Sequence, residues 1–287
     1  MFSTLGGWLR LIRFGNLAIV AACQAMVAIF LLTSFPPALY HLKEIPLFLI
    51  CAATVLAAAG GYVINDYYDQ KIDLLNKPGK VVLGKLLARR GAILLHAAFS
   101  GLAILSAGFV NRWVFLTVIG SVALLWFYSA LLKRTPLYGN IAVAFLAGLS
   151  VFMPAMLYPE HQKKVFVFAV FAFLISLVRE MVKDMEDWLG DKAEGCRTLP
   201  IIFGLKKTKY VLHLLNLIFL LAMLFLGWAW TATFFWLLGG LSVCMVWFSW
   251  NLEKADTKSA FSRLSFSCKV IMLLGIASIA WVQYGNV

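Results

Sequence analysis

Charged residues are scarce in this chain, and acidic residues are the scarcest. Only 13% of its 287 residues are charged, and Asp and Glu together number 13 against 25 Lys and Arg. A soluble domain carries about 25% charged residues. A chain with this deficit and with 62% hydrophobic residues has to expose apolar surface to lipid. The composition therefore predicts an integral membrane protein and excludes a soluble globular domain.

Cysteine and histidine are also few and scattered. Four of the five cysteines lie in apolar runs, no two cysteines have a metal-ligand spacing, and the four histidines stand singly. This pattern excludes a disulfide framework and a Cys/His metal site. The net charge of +12 favours orientation of membrane spans over nucleic-acid binding, because the basic residues flank apolar runs. We expect no nucleic-acid partner, and nothing indicates an obligate protein partner.

Long apolar runs are what the sequence has in abundance. Nine of them approach the length of a bilayer crossing, so the sequence predicts an all-α polytopic membrane protein with one domain over residues 1–287. The predicted spans are Phe14–Phe35, Pro46–Ile64, Gly91–Val110, Trp113–Leu132, Leu137–Leu157, Val165–Val182, Tyr210–Trp228, Thr231–Trp250 and Leu264–Tyr284.

The distribution of basic residues predicts the orientation of these spans. An odd number of crossings puts the termini on opposite sides, and the side of the N-terminus then holds 21 of the 25 Lys and Arg residues. Since cytoplasmic segments carry the excess of Lys and Arg, we expect the N-terminus in the cytoplasm and the C-terminus outside.

Six of the seven aspartates form two motifs with one spacing. Asp66, Asp69 and Asp73 are separated by three and four residues, and Asp184, Asp187 and Asp191 repeat that register 118 residues later. On a helix, residues at this spacing share one face. A solvated helix end predicts mixed charges without register, so the doubled pattern favours a functional reading.

The chemistry of the motifs is that of a hard cation and a diphosphate. Three carboxylates on one face repel unless a cation lies among them, and Mg²⁺ prefers oxygen ligands. The motifs follow the second and sixth spans, so the topology puts both on the cytoplasmic side. Polar segments at about 66–90 and 184–209 are predicted to form cytoplasmic cap loops there. We expect all six aspartates to bind Mg²⁺ and to be catalytic.

Basic and aromatic residues near the motifs are candidates for substrate contacts. Positive-inside charge accounts for many of the basic residues, but a diphosphate needs cationic partners besides Mg²⁺. Some aromatic side chains near the motifs can line a prenyl pocket or stabilise an allylic cation. The predicted contacts of this kind are Tyr68, Lys77, Lys80, Tyr128, Lys133, Arg134, Lys183 and Arg197.

These motifs resemble those of the UbiA superfamily of intramembrane prenyltransferases. Asn65–Asp73 is similar to that family's N-D-x-x-D-x-x-x-D motif, and Asp184–Asp191 to its second aspartate motif. The segment from Arg179 to Asp191 most resembles the digeranylgeranylglyceryl phosphate synthase branch. Arg13 and Asn16 resemble that branch's Arg-Pro-x-Asn, although Phe14 replaces the proline. Residues 80–84 depart from the Arg-Pro-x-Pro-Ser-Gly of many members.

The resemblance implies a UbiA-type helical bundle and Mg²⁺-dependent transfer of a prenyl group from a prenyl diphosphate to a lipophilic acceptor. In this branch the acceptor is geranylgeranylglyceryl phosphate, and Arg13, Asn16 and Asn65 join the substrate-binding set. Two alternatives stay open: an aromatic-acceptor prenyltransferase of quinone or chlorophyll type, and a cation-binding transporter. A CDP-alcohol phosphotransferase is set aside because Gln70-Lys71 follows Asp69, where that class has Gly and Ala-Arg at fixed spacing.

Overall fold

The computed structural model describes residues 4–32, 39–76, 81–228 and 232–284. Over these residues the fold is all-α, apart from one isolated β-bridge between Leu83 and Leu87. The α-helices are α1 (Thr4–Leu11), α2 (Phe14–Phe30), α3 (Ile45–Asn76), α4 (Arg89–Gly108), α5 (Arg112–Ala130), α6 (Tyr138–Phe152), α7 (Gln162–Ala193), α8 (Leu199–Trp228), α9 (Ala232–Glu253) and α10 (Lys258–Tyr284).

The predicted spans correspond one by one to helices α2 to α10. Within the described ranges, seven helices are long and apolar enough to cross a membrane, namely α3 to α8 and α10. Helices α1 and α2 together form a further candidate span that is bent by 59°. Helix α1 is the one helix that the sequence did not predict. The all-α membrane fold is thus confirmed.

The two aspartate motifs lie on helices, where the sequence predicted loops. Helix α3 continues through all three aspartates of the first motif to Asn76, and α7 continues through the second motif to Ala193. The reason is the absence of a helix breaker: the first Pro and Gly after the first motif are Pro78 and Gly79. After the second motif the chain leaves the helix at Gly195, whose φ of 74° suits glycine.

The segment that follows the second motif is also more helical than predicted. The predicted cap loop runs to residue 209, whereas α8 begins at Leu199. Gly204, with φ 81° and ψ 162°, interrupts that helix and separates a first turn from the long remainder. The loop between α7 and α8 is therefore short, and it holds the end of the second motif close to the bundle.

Helix α7 is the centre of the bundle. It packs against α6, α8 and α10 and also contacts α3. Two glycines let its neighbours approach closely. A Cβ on Gly148 of α6 would lie 2.8 Å from the carbonyl oxygen of Ala169, and one on Gly275 of α10 would lie 2.3 Å from the ring of Phe171. Close approach on both sides brings polar residues of α6 and α10 to the second motif.

Candidate active site

The first motif begins with an ion pair to the joint between α1 and α2. Arg13 adopts left-handed backbone angles there, with φ 51°, and its guanidinium donates a hydrogen bond of 3.0 Å to Asp66. The same guanidinium lies over the ring of Tyr62 at 4.8 Å, and Asn16 donates to the Tyr62 hydroxyl at 3.4 Å. The bend in the first span thereby directs Arg13 and Asn16 towards α3.

The second carboxylate of this motif is buried and has two partners. Asp69 accepts a hydrogen bond of 2.7 Å from Asn65 on the preceding turn and a second one from the ammonium of Lys133. Lys133 lies on a 3₁₀ turn, Leu132–Arg134, between α5 and α6. Burial acts to lower the pKa of Lys133, but the facing Asp69 carboxylate outweighs it and raises that pKa. Lys133 therefore stays a cation at the edge of the motif.

The second motif is reached from α6. Asn140, which is buried, donates a hydrogen bond of 2.8 Å to Asp184. Its neighbour Gly139 has no space for a side chain, because a Cβ would lie 2.9 Å from the Leu132 carbonyl oxygen and 3.0 Å from the Lys133 Cα. The start of α6 therefore packs against the turn that carries Lys133, and one short segment serves both motifs.

Tyr128 shows that the two motifs face a common space. The half-buried phenol of Tyr128 interacts electrostatically with Lys133, with Asp69 of the first motif and with Asp184 of the second. Helices α3, α5 and α7 thus converge at one end of the bundle. The arrangement can hold a group with several negative charges between two sets of carboxylates, provided that cations bridge them.

The end of the second motif docks on the same 3₁₀ turn. The backbone N–H of Arg197 donates to the carbonyl of Arg134 at 2.9 Å, and that of Cys196 to the carbonyl of Asp191 at 2.9 Å. Burial raises the pKa of the Cys196 thiol, and the Asp191 carboxylate adds to that effect. The loop after α7 is therefore fastened to the site through its backbone.

The other predicted site residues divide into three groups. Lys183 on α7 binds Glu180 at 2.9 Å, and Tyr68 packs edge-on against Tyr67 at 5.3 Å. Arg134 and Arg197 have exposed side chains and reach the site through their backbones. Asp73 lies on α3, where it repels Asp66, and one carboxylate oxygen of Asp187 on α7 is buried. Lys77 and Lys80 lie outside the described residues.

Two site residues, Tyr62 and Asn140, were not predicted from the sequence. Tyr62 lies one turn before the first motif, inside an apolar run, and nothing in the sequence distinguishes it from an interfacial aromatic. Asn140 carried a usable signal, because a polar amide next to a glycine at the start of a membrane span is costly unless it has a partner. The partner, Asp184, is 44 residues away in the chain.

The carboxylate oxygens of the two motifs are suitable ligands for Mg²⁺, although they do not converge on one point. Over the described ranges, no three carboxylate, imidazole or thiol groups lie close enough to form a metal cluster. Asp66 is repelled by Asp69 and Asp73, and its attraction to Arg13 is stronger than either repulsion. A purely oxygen donor set, with like charges held together on one helix face, matches the ligand preference of Mg²⁺.

Comparison with known proteins agrees with this geometry. The model of the UbiA prenyltransferase family matches residues 18–274. A digeranylgeranylglyceryl phosphate synthase of Methanobrevibacter smithii is 35% identical over 208 residues, which are 69% of this chain and 70% of that protein. The enzyme of the same name from Methanosarcina barkeri is 34% identical over 223 residues, or 75% of this chain and 77% of that protein.

Solved structures show the same fold. A structure described as digeranylgeranylglyceryl phosphate synthase superposes with a TM-score of 0.74 at 23% identity and covers 97% of this chain and 98% of that one. A UbiA homologue from Archaeoglobus fulgidus, bound to GPP and Mg²⁺, superposes with a TM-score of 0.71 at 18% identity and covers 96% and 99%.

Proposed function

The chain belongs to the UbiA prenyltransferase family, and from that premise we propose that it transfers a geranylgeranyl group from its diphosphate to geranylgeranylglyceryl phosphate. The observation that carries the proposal is the convergence of the two aspartate motifs around Tyr128 and Lys133. The donor diphosphate binds between the motifs. Asp66, Asp69 and Asp73 would hold Mg²⁺ from the first motif, and Asp184, Asp187 and Asp191 would hold it from the second.

The protein's own cations complete the donor site. Lys133 and Arg13 form ion pairs with Asp69 and Asp66, and with Mg²⁺ on these carboxylates both cations would be available to diphosphate oxygens. Lys77, Lys80, Arg134 and Arg197 are further candidates for these oxygens. Bound Mg²⁺ supplies the charge that stabilises the departing diphosphate. Asn140 and Asn65 keep Asp184 and Asp69 in fixed orientations throughout.

The reaction that follows from this arrangement is an alkyl transfer. The allylic C–O bond of the donor breaks, the electron pair leaves with the diphosphate, and a hydroxyl of the acceptor forms the new C–O bond and loses its proton. Tyr128 and Tyr68 are aromatic groups beside the site whose π faces can stabilise positive charge at the allylic carbon. The prenyl chains of both substrates are apolar and partition into lipid, which accounts for a membrane fold.

The identity of the acceptor rests on the relatives. The proteins of known name that align with this chain include several called digeranylgeranylglyceryl phosphate synthase. The chain also repeats the Arg179–Asp191 pattern of that branch. An aromatic acid is the competing acceptor, since the donor chemistry would be identical. Because the chain belongs to a family of prenyltransferases, the alternative of a cation-binding transporter is no longer supported.

The orientation proposed with this function puts the site and the N-terminus in the cytoplasm and the C-terminus outside. The 21 basic residues on the side of the motifs support it. A cytoplasmic site also fits the substrates, because a charged prenyl diphosphate does not cross a bilayer unaided.

The deciding experiment uses membranes that contain the protein, labelled geranylgeranyl diphosphate and a panel of acceptors. We expect a labelled digeranylgeranylglyceryl phosphate from geranylgeranylglyceryl phosphate and little product from hydroxybenzoate, homogentisate or dihydroxynaphthoate. The same membranes with the Asp184→Ala variant are the control for endogenous activity. Prenylation of an aromatic acid without any ether-lipid product would refute the acceptor and leave the family assignment intact.

A further inference from the structure

A cluster of basic side chains lies beside the aspartate motifs but is not part of them. Arg179 and Lys183 are one turn apart on α7, and both bind Glu180, at 2.8 Å and 2.9 Å. Glu180 is buried, with 7% of its surface exposed. The three residues form a fixed group on the turn of α7 that precedes Asp184.

Helix α10 adds a fourth charge to this group. Lys269 interacts electrostatically with Arg179, Lys183 and Glu180, and each of the two repulsions is stronger than the attraction to Glu180. Lys269 lies near Arg179 because α10 packs closely against α7 about two turns away, where Gly275 meets the ring of Phe171. Lys269 forms no hydrogen bond or ion pair with any part of the chain that the structure describes.

Arg13 also lies near this group. Besides its ion pair to Asp66, it interacts with Glu180, Lys183 and Lys269. The cluster is therefore built from three separate segments: the joint between α1 and α2, the middle of α7, and α10. We call Arg13, Arg179, Lys183 and Lys269 the basic cluster.

The basic cluster has more positive charge than its surroundings balance. Four cations face three carboxylates, Glu180, Asp66 and Asp184, and the two aspartates are predicted ligands of Mg²⁺. Charges inside a membrane bundle are costly unless they are paired. In addition, the Nε–H of Arg179 is buried and has no hydrogen-bond acceptor among the described residues. The excess charge and the unused donor both indicate a missing anion.

We propose that the basic cluster binds the phosphate of the acceptor lipid, with Arg179 and Lys269 as its main contacts. This inference rests on the proposed function, since it names the site for the second substrate. A phosphate monoester carries close to two negative charges and accepts hydrogen bonds from both guanidinium and ammonium groups. The donor diphosphate has Lys133 and the motifs as further partners, so the two anions occupy neighbouring sites along α7, and Arg13 is near both. That separation leaves the glycerol of the acceptor beside the allylic carbon.

The sequence had offered Lys133, Arg134, Lys183 and Arg197 as basic candidates for substrate contacts. The structure keeps Lys183 in the basic cluster, but Lys133 binds Asp69, and the side chains of Arg134 and Arg197 are exposed. Nothing in the sequence singled out Lys269, because a single lysine inside a span usually extends its ammonium group to the membrane surface. Its position beside Arg179 depends on the packing of α10 against α7.

Lys269→Gln is the variant that tests the proposal. Because Lys269 has no partner among the described residues, its removal leaves no carboxylate unpaired. We expect the KM for geranylgeranylglyceryl phosphate to rise about tenfold, since a hydrogen bond to a charged group contributes about 1.5–3 kcal/mol. The KM for geranylgeranyl diphosphate should stay within about twofold. Arg263→Gln, which removes one charge from an exposed position on the same helix, is the matched control.

A second comparison isolates the phosphate itself. The ratio of kcat/KM for geranylgeranylglyceryl phosphate to that for geranylgeranylglycerol should fall in Lys269→Gln and recover in Lys269→Arg. Thermal unfolding of the three proteins checks that the change is not a loss of folding. An unchanged ratio, or an equal rise in both KM values, would overturn the proposal. If the wild-type protein does not use the phosphorylated acceptor at all, it is the proposed function that fails.

Discussion

Asn140 donates a hydrogen bond of 2.8 Å to Asp184 across the interface between α6 and α7. The donor follows Gly139, the residue at which α6 contacts the turn that carries Lys133. The bond therefore connects the second aspartate motif to the cation that neutralises the first. Four experiments follow from this geometry.

Replacing Asn140 by alanine should lower kcat by about tenfold or more. The change removes a donor from the half-buried carboxylate of Asp184, and leaving a buried acceptor unsatisfied costs about 1–3 kcal/mol. Activity and thermal unfolding, measured with purified protein, check both effects. Asn251→Ala is the control, since the Asn251 amide bonds to the carbonyl of Trp247 on its own helix. Full activity of Asn140→Ala would show that Asp184 needs no orienting partner.

The aspartate motifs should be indispensable for activity and dispensable for folding. Asp66→Ala and Asp184→Ala remove a ligand from each motif, so we expect a loss of at least about a hundredfold, as is typical when a transition-state charge contact is removed. EDTA should abolish turnover of the wild-type protein, and Mg²⁺ or Mn²⁺ should restore it.

The control for the motif variants is Asp256→Ala. Asp256 is the one aspartate outside the motifs, and its side chain is 80% exposed where it pairs with Lys209. It should keep wild-type activity. Turnover in EDTA, or in either motif variant, would exclude the metal assignment, provided that size-exclusion elution shows an intact protein.

Gly139→Ala should displace the turn that carries Lys133. The new Cβ would lie 2.9 Å from the Leu132 carbonyl oxygen, and backbone atoms cannot swing away as side chains can. Overpacking of this kind costs about 1–3 kcal/mol, so we expect a lower midpoint of thermal unfolding and a higher KM for the prenyl diphosphate.

Gly120→Ala is the matched control, because nothing lies within 4 Å of a Cβ at that position on α5. Alanine is the better helix former by about 1 kcal/mol, so this variant should be as stable as the wild type or slightly more so. Equal behaviour of the two variants would mean that the contact at Gly139 is relieved without consequence for the site.

Labelling of single cysteines in sealed cells tests the orientation. On a background without native cysteines, Ala193→Cys should be protected from an impermeant thiol reagent, and Glu160→Cys should react. Both positions are exposed, and they lie at or next to the two ends of α7. Permeabilised cells should label both, which controls for reactivity. Ready labelling of position 193 in intact cells would reverse the proposed topology.

Much of this protein was legible in the sequence because the physics involved is local. The length of each apolar run matches a bilayer crossing, so the helices from α2 to α10 could be predicted with approximate bounds. The spacing of Asp66, Asp69 and Asp73 likewise places them on one face of any helix that contains them, and the second motif follows the same rule. The sequence did not predict that α3 continues to Asn76 and α7 to Ala193, because the end of an apolar run marks where the chain leaves the bilayer core and not where the helix ends.

The tertiary structure decided which groups meet. The contact between Lys133 and Asp69 spans 64 residues, and that between Arg13 and Asp66 spans 53. No periodicity encodes such pairs, because they depend on how helices pack. The position of Lys269 beside Arg179 depends on the close packing of Gly275 against the ring of Phe171. The sequence by itself determined the membrane helices and the two sets of carboxylates, whereas helix packing alone decided which cations face them, because long-range electrostatic pairs form only where packed surfaces bring them together.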